Sequence, residues 1–421
     1  MKAGSPTPTE GKPRATIRAT PEDFLVEELP AYEPSGAGEH LYVRFRKRGL
    51  TTLQAAAELA RRLGVPAREA GTAGLKDRHA VTVQTASFPW PLARPLPEAA
   101  ALGAEGLEVL SLARHGNKLR TGHLRGNRFV IVLRDLDEGA RPGLALAFLR
   151  LGDEGVPNWY GPQRFGREGD NAEQARAWLA GRAPAPRNPR VRRLQFSALQ
   201  SELFHRVLER RVAEGTFREP LEGDLVQREG GGPLRSFPIV DREGFEGPGR
   251  PGGEGATAAP PGREARAPGR EPGLGGAGAP DDGGASGGAD AGFDEGPYRP
   301  TGPMYGVRMR WPAGAPGALE REILAEALGD GALLERWSSL GEGSRRALAL
   351  TPRRLRATAP ADSPGSLRVE FVLPKGAYAT TVLGALCQLR DAAAPGGRGG
   401  GDGGGGAAAE GPDGALEEEL A

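Results

Sequence analysis

The segment AGLKDRHAVTVQ, residues 73–84, sets one acid among cations, with Asp77 between Lys76 and Arg78 and His79 beside them. Neighbouring positive charge favours the ionised form of a carboxylate. An aspartate kept in that form suits a nucleophile, or a base toward an acidic proton, better than a general acid. A second group lies in LRGNRFVIV, residues 124–132. Asn127 can hydrogen-bond a base edge while Phe129 stacks on the base, the usual way an unpaired base is held. Taken alone, each segment also has a plainer reading: KDR as a solvated turn, Gly126–Asn127 as turn chemistry and Phe129 as core. A third segment, GVPNWYGPQRFGREGDN at 155–171, gathers Trp159, Tyr160 and Phe165 around Gln163, Arg164 and Arg167. It is too polar and Gly-broken for a helix, and reads as an ordered connection that either faces a substrate or packs between domains. Arginines cluster at Arg187, Arg190, Arg192 and Arg193, and again at Arg353, Arg354 and Arg356. Such clusters suit phosphate contacts or a solvated face.

These groups need elements to hold them. Leu41, Val43 and Phe45 alternate with Tyr42, Arg44 and Arg46, predicting a strand over 39–46 with one buried face. TTLQAAAELARRLGVP follows with helical spacing, Thr51 or Thr52 as N-cap, Gly64 past its end and Pro66 beyond. Strands are predicted at 80–88, 128–134, 307–311 and 369–373, and helices at 143–151, 172–180, 196–212, 318–338 and 379–391. Strands thus occur in the first third and again after 305, with a mostly helical stretch between. This pattern predicts an α+β sheet domain assembled from both ends of the chain and interrupted by an inserted domain.

Composition narrows the classes. The 421 residues include 66 Gly and 38 Pro, unevenly spread: 16 Gly and seven Pro fall within 246–294. That tract cannot offset the entropy of ordering it, and 395–421 and 1–14 read the same way. About 330 residues remain, room for two ordinary domains. The absence of a G-X-Y period excludes collagen. No apolar run approaches a membrane span and the N-terminus lacks a signal-like apolar stretch, so a cytoplasmic protein is expected. A single cysteine, Cys387, excludes an internal disulfide framework and a thiolate metal cluster. The five histidines, His40, His79, His115, His123 and His205, are scattered without metal-ligand spacing. A net charge of +1 neither advertises nor excludes a polyanionic partner, because a local basic face is what matters.

Eight segments in order carry a resemblance: TPEDFLVEE (20–28), GEHLYVRFRKRGLTT (38–52), AGLKDRHAVTVQ, GNRF, GVPNWYGPQRFG, SALQSELFHRVL (197–208), PTGPMYG (300–306) and VEFVLPKGAYATTVLGAL (369–386). Together they resemble the motif series of the TruD family of tRNA pseudouridine synthases, over about residues 15–392 apart from 246–294. The resemblance implies isomerisation of a tRNA uridine, typically at tRNA position 13, to pseudouridine, with no cofactor or metal. It implies a catalytic domain with a mixed, largely antiparallel sheet, formed by 15–156 and 303–394. An inserted α/β TRUD domain over 157–302 would interrupt it, flanked by unstructured 1–14 and 395–421. By the GxKDxxAxTxQ motif the catalytic residue is Asp77, as nucleophile or as base toward the sugar. Phe129 matches the aromatic that stacks on the flipped uracil. Phe24, Asn127 and Tyr378 align with residues that hold the target nucleotide. Arg18 matches a basic position that could pair with Asp77. The implied partner is tRNA, bound by a monomer with no membrane or metal.

Three departures stand out. His205 replaces a usual Asn, Tyr378 replaces a common Phe, and the 246–294 tract splits the inserted domain. His205 reads as a surface or domain-contact residue, and Cys387 as a small buried hydrophobe. The alternative is a catalytically inactive tRNA-binding protein or chaperone on the same scaffold; a metal-dependent hydrolase has almost no ligand support. Deleting 246–294 is expected to leave pseudouridine formation intact, measured on tRNA in vitro. Loss of folding in that variant would contradict it.

Overall fold

The computed structural model describes residues 11–137, 139–166, 168–229, 232–238, 296–329, 334 and 338–394. The tracts 246–294 and 395–421, and residues 1–10, lie outside the described residues. The first stretch runs β1 (Arg14–Ile17), β2 (Phe24–Pro30), β3 (His40–Lys47), α1 (Thr52–Leu63), β4 (Gly71–Thr72), β5 (Val81–Pro89), β6 (Leu107–His115), β7 (Leu124–Leu133), α2 (Ala140–Glu154) and β8 (Val156–Pro157). Next come α3 (Asn171–Leu179), α4 (Pro189–Ala213), β9 (Leu225–Arg228), β10 (Arg235–Ser236), β11 (Tyr298–Met304), α5 (Gly314–Leu328) and β12 (Ser344–Ala347). The chain closes with β13 (Ala349–Leu350), β14 (Arg353–Thr358), β15 (Leu367–Pro374), α6 (Ala379–Leu386) and β16 (Gln388–Asp391).

The main sheet has the order β14-β15-β7-β2-β5-β3-β6, with β4 added on β5. Its pairs are antiparallel except β2 with β5. Two of its strands come from the C-terminal part of the chain, so the sheet joins both ends, as expected. One face carries the two helix-covered cores. Phe24, Val26, Phe129, Ile131, Val369 and Phe371 pack under α2 and α6 through Leu144, Phe148, Leu151, Val382 and Leu383. Leu41, Val43, Phe45, Ala86 and Phe88 pack under α1 through Leu59, Ala60 and Leu63. Between these two helix-covered halves the same face turns polar, with Lys47, Thr82 and Gln84 on β3 and β5 and Glu28 and Asn127 on β2 and β7. The opposite face carries a ladder of ion pairs, Arg44–Glu27 at 2.6 Å, Arg128–Glu27 at 3.3 Å and Arg128–Glu370 at 2.9 Å. Partly exposed pairs of this kind contribute little stability and leave that part of the face to solvent, while Tyr42 on β3 joins Ala73, Leu119 and Leu124 in a small buried cluster.

A second body packs α3, α4 and α5 around Trp159, Tyr160, Phe165, Trp178, Phe204 and Tyr305. Met304, Tyr305, Met309, Ile323, Leu324, Leu328 and Leu348 bury their apolar groups in this core, although 303–394 was expected with the catalytic sheet. The chain enters at β8 and returns at β13, and these two short strands pair antiparallel, Val156 with Leu350 and Pro157 with Ala349.

Several local expectations change. Residues 11–14, expected to be unstructured, are held: Lys12 Nζ donates to the Gly384 carbonyl at 3.1 Å, and Arg14 opens β1, which pairs in parallel with β16. The helix predicted to 391 stops at Leu386, because 388–391 is that partner strand. The alternation at 307–311 is a turn instead of a strand, since Gly306 approaches Gly343 so closely that a Cβ at 306 would lie 2.3 Å from its nitrogen. α4 starts at Pro189, capped by Asn188, whose Oδ1 accepts from the Arg190 N–H at 2.9 Å. α5 ends at Leu328 before Gly329 at φ +72°, short of the predicted 338; 330–333 and 335–337 lie outside the described residues.

His205 is buried, not on the surface. Its Nε2 accepts the Tyr160 N–H at 2.8 Å, and Trp159 packs edge-on to its ring. Burial, with the Arg346 charge adding to it, lowers its pKa to about 3. The ring therefore stays neutral in the fold while the unfolded chain takes up a proton near pH 6.5. Stability from this group is fully present above about 6.5 and is lost as pH falls toward about 3, with a slope of up to about 1.4 kcal/mol per pH unit. His205→Asn keeps an acceptor without a titrating proton. Urea unfolding between pH 6.5 and 4 should show a shallower pH slope for this variant, and equal slopes would refute the assignment.

Candidate active site

Asp77 sits on the loop between β4 and β5, its side chain about one-third exposed, and every oxygen has a partner. Oδ2 faces the Arg18 guanidinium at 2.8 Å, where the Arg18 side chain is 11% exposed against 32% for Asp77. Oδ1 accepts the His79 backbone N–H at 2.8 Å, so the loop turns on its own carboxylate. The Asp77 carbonyl accepts from Lys47, and Thr52 takes the Lys76 N–H. Lys76 extends the other way and pairs with Glu28 at 2.9 Å, both nearly buried. Charged groups with little exposure to water interact more strongly than the same groups in solvent.

Arg18 is held from three sides. It follows β1 at φ +56°, a left-handed conformation uncommon outside glycine and one that redirects the chain at the strand end. Its guanidinium also bonds Asp391 on β16 and lies 4.1 Å from the Phe24 ring centroid. Phe24 meets Phe129 edge-on at 6.3 Å, Phe129 stacks on Phe371 at 5.4 Å, and Phe148 closes the row. Period-2 alternation on β2 and β7 gives this order: Phe24, Val26 and Glu28 share a face with Ile131, Phe129 and Asn127, register partners across the two strands.

The structure thus joins Arg18, Asp77, Phe24 and Phe129 in one contact chain and places Asn127 on the same sheet face. Phe129 is only 6% exposed, with one ring face taken by Phe371. Tyr378 lies elsewhere, at the start of α6, where its ring packs against the second core and meets Tyr160 at 6.4 Å. Beside it, Arg346 spans both bodies by donating to Asn158 Oδ1 at 2.6 Å and to the Gly376 carbonyl at 3.1 Å.

Eight buried side-chain polar atoms among the described residues have no hydrogen-bond partner, and four of them fall on this face: Arg18 Nε, Thr82 Oγ1, Gln84 Nε2 and Asn127 Oδ1. Buried polar groups are normally satisfied, so this concentration marks capacity kept for something else. Among the described residues no three His, Cys, Asp or Glu side chains are grouped to hold a metal ion. Sequence reasoning missed Asp391, Glu28, Lys47 and Thr52. Glu28 lay in the 20–28 motif and Lys47 and Thr52 in the 38–52 motif, Thr52 also as a possible helix cap, and nothing local pointed to Asp391.

A family model described as tRNA pseudouridine synthase D (TruD) matches residues 8–173 and 286–385. The tRNA pseudouridine synthase D of Anaeromyxobacter dehalogenans (strain 2CP-C) is 41% identical over 394 residues, covering 90% of this chain and 94% of the relative. That of Xanthomonas euvesicatoria pv. vesicatoria (strain 85-10) is 36% identical over 396 residues, covering 90% and 92%. A crystal structure from Methanosarcina mazei, described as that of a candidate tRNA pseudouridine synthase D (TruD), superposes with a TM-score of 0.57 at 22% identity, covering 91% of this chain and 94% of that one. At that identity the likeness speaks for the fold. With a family model over more than half of the chain and relatives this similar along nearly all of it, the protein belongs to the tRNA pseudouridine synthase D (TruD) family.

Proposed function

We propose that the protein isomerises a uridine of tRNA, at position 13, to pseudouridine in the cytoplasm, with Asp77 as the reacting carboxylate. The observation that carries this is the carboxylate itself: accessible on its loop, fixed by Arg18 and the His79 N–H, and set on the polar strip between two helix-covered halves of a sheet. The reaction breaks the bond from C1′ to N1, turns the uracil, and joins C1′ to C5. C5 gives up its hydrogen and N1 gains one, so nothing is oxidised or reduced. Asp77 acts as the nucleophile or as the base toward the sugar, and both roles require the anion that Arg18 faces.

The target base must leave its stack, at a cost of a few kcal/mol. The unspent Asn127 Oδ1 offers an acceptor for an N–H of uracil. Phe129, with Phe24 beside it, forms the apolar floor, and the small open part of its ring is what a base would meet. Tyr378 approaches the nucleotide from the junction with the second body. That body, expected as the inserted domain, helps clasp the RNA, and the exposed Arg187, Arg190 and Arg193 at the start of α4 face its phosphates. The opposite sheet face, with its Arg and Glu charges already paired, is the poorer surface for a polyanion.

Asp77→Asn tests the reading. Release of tritium from C5 of labelled tRNA uridine should fall by about 10³-fold or more, since the variant lacks the reacting anion. Affinity for tRNA should stay within about threefold, because Asp77 supplies no phosphate contact. Retained tritium release would sink the assignment, and wild-type protein that binds tRNA yet releases none would point to the inactive binding protein.

A further inference from the structure

Three consecutive residues of the Asp77 loop are tied to the short turn between β3 and α1. The Lys76 N–H donates to Thr52 Oγ1 at 2.8 Å, Lys47 Nζ donates to the Asp77 carbonyl at 2.8 Å, and Arg78 Nε donates to the Gly49 carbonyl at 3.2 Å. Lys47 also donates to the Leu50 carbonyl at 2.7 Å, closing the turn on itself. Its side chain is wholly buried. An ammonium in that position must keep its acceptors, because losing one leaves charge in a poorly solvated site. The Asp77 peptide is therefore pinned to the end of β3, and β3 is itself fixed by full pairing with β5 and β6.

Thr51 and Thr52 divide two tasks. Thr51 caps α1, its Oγ1 accepting the Gln54 N–H at 3.1 Å while Gln54 Oε1 accepts the Thr51 N–H at 2.9 Å. The cap leaves the Thr52 hydroxyl available to the loop. Thr52 takes the Lys76 N–H and passes its own hydrogen to Gln84 Oε1 at 3.1 Å, a buried amide on β5. A helix start needs only the first threonine. Packing needs no cation at position 47 either, since an apolar chain of equal length fills the space without the cost of desolvating a charge.

We propose that Lys47 and Thr52 are positioning residues for the reaction. They act through the backbone on either side of Asp77 and hold its carboxylate at the distance and angle that attack or proton removal requires. The proposal rests on Asp77 being the reacting group.

Single-turnover tritium release, tRNA affinity and thermal melting are measured for the wild type, Lys47→Met and Thr52→Val. The rate should fall about 100-fold in Lys47→Met and about 10-fold in Thr52→Val, as for small displacements of a reacting group. Dissociation constants for tRNA should stay within about threefold, so the loss falls on turnover and not on binding. Rates close to wild type in both variants overturn the proposal. So does a loss of rate matched by an equal loss of affinity, or a lowered melting temperature with the rate unchanged well below it. If Lys47→Met does not fold, the isosteric Thr52→Val decides alone. Wild-type protein that binds tRNA without releasing tritium brings down the functional reading, and the positioning role with it.

Discussion

The contact between Arg18 and Asp77 is the constraint on which the rest of the structure depends. It ties a residue just outside the first strand to a loop beyond the fourth, and Arg18 in turn reaches Asp391 near the end of the described chain. Two carboxylates on one guanidinium, with the Phe24 ring beneath, give the cation a single place to lie. Planar Arg suits this better than Lys, because it can divide its donors between two acids and still stack on an aromatic face. The parallel pairing of β1 with β16 brings Asp391 within reach, so the charge balance at Asp77 depends on two strands far apart in sequence lying side by side.

The sheet face explains why the site lies where it does. Helices cover its two halves and leave a strip between them, and in that strip the inward side chains become Lys, Thr, Gln, Glu and Asn in place of Phe and Val. Polar side chains at inward positions weaken packing, so such a row is retained where a solute makes use of it. Within the strip Glu28 is paired with Lys76, and the aromatic row from Phe24 to Phe148 starts on the same sheet face.

Much of this was legible in the sequence where the signal is local. The alternation in β3 and β15, the β-branched run of β5 and the cap and stop of α1 gave elements close to those observed, because period, propensity and capping chemistry act within a few residues. Long-range pairing was not legible. Nothing in QLRD at 388–391 distinguishes the end of a helix from a strand until β1 is beside it. The alternation at 307–311 failed for a similar reason, since the close approach of Gly306 to Gly343 is set by tertiary contact. Asp77, Arg18, Phe24, Asn127 and Phe129 were singled out through motif order, and the structure brings the first three into contact with one another and with Phe129. His205 was left open between the surface and a domain contact because a helix residue next to Phe204 can face either way, and its burial against the Tyr160 N–H and Trp159 removes the surface.

The short pairing of β8 with β13 has a consequence for the chain as a whole. Where the second body begins and where it ends, the backbone lies one strand spacing apart. To the sheet, the whole of that body is topologically a hairpin loop, and closing a longer loop costs only a slowly growing entropy. Sequence can therefore be added to or removed from the second body without moving the two strands that receive it. The body is a long insertion carried on one strand pair, with Arg346 and Tyr378 as its further ties to the sheet domain.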